Sequence, residues 1–212
     1  MCNNRPTIGP IESHPVEPNM STAAPTIQRH HHITLCVGDA QEDYDFHTKV
    51  LSLKSVKKTA LYDGTVPIYH LYSGNDHGDE STLVTSFPMR QSGRKGRPGT
   101  GQIGTRALAV PVAGLDFWHQ RLVTHGFVTG TCERFGERVL GFAHPCGIAY
   151  ELIGTADDTR LPYSNGEVPT ELAIRGTRTI TVKVRELEPS QEFMGMGWSG
   201  REVARSPRVS MT

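Results

Sequence analysis

The sequence lacks paired cysteines, an excess of either charge and any long apolar run, and each absence removes a class of protein. Cys2, Cys36, Cys132 and Cys146 are widely separated, with neither the C-x-x-C spacing of a zinc knuckle nor the density of a disulfide framework. No secretory signal pattern precedes them, so a reducing cytoplasm is the expected setting. Lys and Arg number 22 and Asp and Glu number 22, for a formal charge of zero. No broad attraction to nucleic acid or to an anionic membrane follows from that balance. No stretch approaches the roughly 20 apolar residues that span a bilayer. Apolar periodicity is also missing from residues 1–28, which are rich in Pro, Asn, Ser and Thr. They read as a disordered leader, within which Met20 is an alternative start. At 212 residues and 36% hydrophobic content, the chain is long enough for one large or two small packed units.

What is present begins at residues 29–41, RHHHITLCVGDAQ. Alternate side chains of an extended strand face opposite sides. That puts Ile33, Leu35 and Val37 on an apolar face and His32, Thr34 and Cys36 on the other. Asp39 stands three residues before Glu42, the spacing of a reciprocal helix cap. A helix is therefore predicted from Ala40, with Tyr44, Phe46, Val50 and Leu51 as its apolar stripe. Three β-rich runs follow at 55–63, 66–72 and 82–87. The second, VPIYHLY, places Ile68, His70 and Tyr72 on one face. Residues 91–104 are glycine-rich and basic, match neither a P-loop nor a dinucleotide fingerprint, and read as a connecting loop.

The same order then recurs. A strand is predicted over 107–112, a helix with Leu115, Trp118 and Leu122 on one face stopping near Gly126, and strands over 128–132, 138–142 and 148–153. His144, Pro145, Cys146 and Gly147 form the turn between the last two. A βαβββ unit repeated after roughly 75 residues predicts an α+β protein of paired modules, because one unit leaves a sheet face uncovered. Residues 155–176, polar and carrying Pro162 and Pro169, read as a linker. At 179–184 (TITVKV) a third unit starts, and 186–193 could begin its helix. From Gly195 onward Gly, Ser and Arg displace the apolar residues that further strands require, leaving a basic tail. Such a stub exposes an apolar face, so removing 177–212 is expected to improve solubility. The expected organisation is a leader at 1–28, a two-module unit at 29–154, a linker at 155–176, and an incomplete third module with an irregular tail at 177–212.

The blocks HHHITLCVGDAQ, YDGTVPIYHLY, FPMRQSGRKGRPGTGQIG, LDFWHQRL and RFGERVLGFAHPCGIAYELIG resemble the vicinal oxygen chelate superfamily, the glyoxalase-like fold. Within it they are similar to the non-haem iron dioxygenases that cleave the rings of hydroquinones and chlorohydroquinones, an aromatic-catabolic activity. The resemblance implies four βαβββ modules and an Fe(II) held by two histidines and one glutamate, with open positions for substrate and O₂. It makes His32 the first metal ligand and places His31 and Thr34 beside the metal and substrate. The family's other histidine and its glutamate come from a fourth module, so two of the three ligands are expected to be missing here. Glu151, on the last strand of the second module, stands where simpler two-module relatives place a carboxylate ligand. Those relatives also need a histidine where this chain has Thr105, Arg106 and Ala107.

His70 and Tyr72 share a strand face and are the candidate contacts to an aromatic substrate. Cys36 and Cys146 read as packing and turn residues, with no thiol-activating neighbour pattern. The expected partners are a small aromatic substrate and O₂, without nucleic acid or membrane. The competing readings are a non-catalytic two-module protein that sequesters a small aromatic molecule, a truncated chain, or a site completed by another polypeptide, which adds a homo-oligomer to the expected partners.

Overall fold

The structure, a computed structural model, describes residues 29–62, 67–93 and 96–198. The expected leader, the junction 63–66 between the first two predicted β-rich runs and the basic tail beyond residue 198 lie outside the described residues. The first module opens with β1 (His32–Val37), whose side chains alternate exposed and buried as the pattern predicts. Asp39 then caps α1 (Ala40–Asp45), its carboxylate accepting from the backbone N–H groups of Gln41 and Glu42. This satisfies two of the donors that a helix start leaves free. Glu42 itself lies 3.9 Å from Arg90. The helix runs into a wider π-type turn, Phe46–Val50, and three strands follow: β2 (Lys54–Tyr62), β3 (Pro67–Gly74) and β4 (Leu83–Pro88).

The second module repeats this order with β5 (Gln102–Pro111), α2 (Leu115–Thr124), β6 (Gly130–Arg134), β7 (Glu137–Ala143) and β8 (Ala149–Thr155). The first sheet is ordered β1-β4-β3-β2. In both modules the first strand pairs in parallel with the last, and a parallel pair needs a crossover such as the intervening helix and hairpin. The fold is α+β, two mixed sheets built from βαβββ modules. A further strand, β9 (Gly176–Lys183), pairs antiparallel with β5 and extends the second sheet to β6-β7-β8-β5-β9. It leads into α3 (Leu187–Trp198), where Phe193 and Met196 are exposed.

One apolar core joins the modules. Ile33, Leu35 and Val37 of β1 and Phe46, Val50 and Leu51 of the first helical segment meet Leu108, Val110, Trp118, Leu122, Leu140 and Leu152 of the second module. The segment 155–176, expected to be a linker, sends Val168, Ala173 and Ile174 into this core, and Leu172 accepts the indole N–H of Trp118 at 2.8 Å. Its polar composition reflects its exposed positions, between which a few apolar residues anchor it. Among the described residues no helix is long and apolar enough to cross a membrane.

Candidate functional site

Two groups of chemically capable side chains stand on opposite sides of the first module, one enclosed and one open. The enclosed group begins on α1. Asp43 and His47, four residues apart, lie on the same helix face, and both are buried between the modules. The turn between β7 and β8 adds His144. Asp43 Oδ1 lies 3.3 Å from His47 Nδ1 and 3.2 Å from His144 Nε2, while Ser86 on β4 donates its hydroxyl to Asp43 Oδ2.

The partners fix the tautomer of His47. Nδ1 is 3.0 Å from the Asp43 carbonyl, which can only accept, so Nδ1 carries the proton and Nε2 accepts from the Tyr150 hydroxyl at 3.0 Å. Tyr150 in turn lies beside Arg106, whose Cζ is 5.9 Å from the ring centroid. A polar chain therefore crosses the core from Arg106 through Tyr150, His47 and Asp43 to His144. Burial pushes Tyr150 up to about 12. For Asp43, burial alone would raise the carboxyl; the bonds from His144, His47 and Ser86 outweigh it and hold the group far below the usual range.

His144 ends the chain near solvent. Burial would lower its imidazole, yet Asp43 and Cys146 raise it to about 9. Nδ1 is 2.9 Å from Cys146 Sγ and accepts the Cys146 amide N–H at 3.0 Å. Protonation of Nδ1 thus exchanges the amide for the sulfur as its partner. The His144 contact lowers the exposed Cys146 thiol against the opposing effect of burial. Cys146 accordingly has the activating neighbour that the sequence did not reveal.

Asp43, His47 and His144 offer three ligand-type atoms within 4.8 Å of one another. Two imidazoles and one carboxylate suit a divalent transition metal. Spacings of 3.2 and 3.3 Å match the edges of a coordination shell with bonds of about 2.1 Å. Asp43 Oδ1 and His144 Nε2 face each other at 3.2 Å and have no better-aligned partner among the described residues. The group therefore fits a metal ion, provided that His47 gives up its Nδ1 proton. The expectation that this chain lacks two of three ligands needs correction: the described residues bring together a complete donor set, from positions other than those the resemblance implied. Relative exposures of 1% for Asp43, 1% for His47 and 2% for His144 also mean that an organic substrate has no route to it in this conformation.

The open group lies on the outward face of the first sheet. His32 and Thr34 point there from β1; His31 Nδ1 is 2.9 Å from His32 Nδ1, and Thr34 Oγ1 is 2.9 Å from Thr85 Oγ1 on β4. On β3 the His70 ring stacks on Phe87 at 4.1 Å and receives the Tyr72 hydroxyl on Nδ1 at 3.0 Å. Burial, and then the neighbouring His32 and Lys57, lower the His70 imidazole. His31, His32, Thr34, His70 and Tyr72 thus share one part of one sheet. Glu151 is elsewhere: on β8 it accepts both terminal nitrogens of Arg134.

Sequence reasoning passed over Asp43, His47 and His144. The spacing of Asp43 and His47 was a usable signal, since residues four apart on a helix adjoin. Nothing local connects His144 to them, because the turn that carries it is about a hundred residues away and only tertiary packing brings it in.

The model of the Glyoxalase/Bleomycin resistance protein/Dioxygenase superfamily matches residues 29–152, more than half of the chain. The chain belongs to that superfamily. Among its relatives, a chlorohydroquinone/hydroquinone 1,2-dioxygenase of Sphingobium indicum is 41% identical over 82% of this chain and 56% of its own length. MhqO of Bacillus subtilis strain 168, a ring-cleaving dioxygenase by name, is 35% identical over 81% of this chain and 56% of its own. The chain thus spans about half the length of the relatives it matches. The crystal structure of a Bacillus subtilis strain 168 protein, also a dioxygenase by name, superimposes with a TM-score of 0.80 at 31% identity, covering 87% of this chain and 59% of that one.

Proposed function

We propose that this chain forms part of a ring-cleaving dioxygenase that acts on a hydroquinone or related phenol with Fe(II) and O₂. The likeness to the Sphingobium indicum enzyme supports the reaction class. The observation that carries the reading is the open sheet face, where the His31–His32 pair stands on the same surface as the His70, Tyr72 and Phe87 rings. A flat aromatic molecule needs such a wall, and His32 offers the adjoining metal ligand. Iron bound there would supply a Lewis-acidic centre able to bring a phenolate and O₂ together. The chain's own residues would do the rest: Thr34, paired with Thr85, and His31 would orient the hydroxyl groups of the substrate, while Tyr72 fixes the His70 ring through its hydroxyl. Glu151, committed to Arg134, would have to leave that pair to serve as a ligand.

The enclosed donor set of Asp43, His47 and His144 is a second place for a divalent ion, and its burial assigns it to holding the modules together. Iron content after anaerobic Fe(II) loading separates the two, measured in the wild type, His32→Ala and His144→Ala. Loss of iron confined to His32→Ala, together with hydroquinone-dependent O₂ uptake by the wild type, supports the open-face site. Loss confined to His144→Ala moves the ion into the core and away from substrate. A wild type that takes up no iron yet binds hydroquinone would favour the non-catalytic, aromatic-sequestering reading.

A further inference from the structure

Lys57 is a cation of the open sheet face that the proposed reaction leaves unused. Strand register places it there: Thr34 pairs with Thr85, Thr85 with Tyr72, and Tyr72 with Lys57, and directly opposed residues of adjacent strands share a face. One row therefore crosses all four strands, from Thr34 beside His32 to Lys57 at the far edge of the sheet. Three strand spacings separate β1 from β2, about 14 Å, so a single side chain cannot span the row. Lys57 leans back along it, with Nζ 5.4 Å from the Tyr72 ring centroid. Burial first, then His32 and Lys57, lower the His70 imidazole, so both groups stand around that ring. No acid answers the ammonium. The strands β1 to β4 carry neither Asp nor Glu, and among the described residues Lys49 and Lys54 have carboxylate partners while Lys57 has none. Lys58, the next residue, faces the other way and lies over the Tyr44 ring of α1 at 4.9 Å.

We propose that Lys57 determines which aromatic molecules this face accepts: its ammonium holds an anionic oxygen at the end of the ring opposite to the end that faces His32. The proposal rests on the open-face reading above and adds a substrate class to it, a phenol that carries an oxyanion para to its hydroxyl. A ring lying against His70, Tyr72 and Phe87, with its hydroxyl beside His32 and Thr34, brings its para substituent towards Lys57. An ortho substituent stays at the His32 end. The cation–π contact with Tyr72 positions the ammonium without neutralising it. A charge-assisted hydrogen bond to an oxyanion does neutralise it, and is the stronger interaction.

The test is the affinity of the metal-free full chain for three probes, measured by titration calorimetry at pH 7. 4-Hydroxybenzoate and 4-hydroxybenzamide differ in the charge of the para group, and 2-hydroxybenzoate keeps the charge but moves it beside the hydroxyl. The expected result is that 4-hydroxybenzoate binds about fivefold to tenfold more tightly than either of the others. Lys57→Met abolishes that difference, Lys57→Arg keeps it, and Lys58→Met leaves it unchanged. Hydroquinone measured beside them assigns the source of the oxyanion: affinity near that of 4-hydroxybenzoate makes it a ring phenolate, and affinity near that of the amide makes it a ring carboxylate. Equal affinity for 4-hydroxybenzoate and its amide, or a preference that survives Lys57→Met, would overturn the role of Lys57 and leave the reaction surface standing. Binding of none of the probes, before or after anaerobic Fe(II) loading, would remove that surface and the proposal with it.

Discussion

At the scale of single residues, Asp43 is the carboxylate on which the buried polar chain turns. Ser86, His47 and His144 all reach it, and a fully buried charge is tolerated only with such partners. Asp43→Asn keeps the volume but removes the charge that His144 faces, and the expected loss in urea unfolding is about 3–5 kcal/mol. A loss under 1 kcal/mol would show that the imidazole finds another partner. The same pair predicts a pH dependence. His144 has a folded-state pKa raised to about 9 from an ordinary 6.5, so its contribution is fully present below pH 6.5 and fades as the pH climbs towards 9. Unfolding curves at pH 6 and pH 9 are expected to differ by up to about 3 kcal/mol, and His144→Gln should flatten that difference. Residues at this scale were unevenly legible. The outward placement of His32 and Thr34 follows from strand alternation, whereas the buried partnership of Asp43 with His144 depends on a turn distant in the chain.

Among the elements, β8 and α2 show how close the packing becomes. Gly154 lies where the start of α2 crosses β8, and a Cβ there would stand 2.9 Å from Leu115 Cδ1 and 3.2 Å from Val112 Cα. Backbone cannot retreat as the tip of a side chain can, so Gly154→Ala is expected to cost about 1–3 kcal/mol by overpacking, read as a lower urea midpoint with an unchanged slope. Leu115→Ala in the same background should recover part of the loss, because it removes the nearer obstacle. Helix starts and strand alternation were readable from sequence, as Asp39 and β1 show. Strand ends were less so. β5 begins at Gln102 inside the glycine-rich stretch assigned to a loop, because β9 gives its backbone partners that local composition cannot reveal.

For the molecule as a whole, the consequential strand is β9. It was expected to be a liability whose removal would help. Instead it covers the β5 edge from Gln102 to Ala109 and brings Thr177 to Arg106. Deleting residues 177–212 would uncover a strand edge, a template for association, and take a bond from an enclosed guanidinium. The expected outcome is a lower thermal midpoint and concentration-dependent aggregation in sedimentation, the reverse of the sequence-based expectation; an unchanged midpoint with monomeric sedimentation would restore it. The sequence by itself determined the βαβββ repeat, the core face of each segment and the superfamily, because these are carried by local periodicity, capping and contiguous blocks of residues. Only the tertiary structure decided that Asp43, His47 and His144 converge, that Val168, Ala173 and Ile174 of the segment 155–176 pack into the core, and that Arg106 is enclosed beside Tyr150 and Thr177. Each of these joins positions far apart in the chain, and their meeting is fixed by how two modules close around one core.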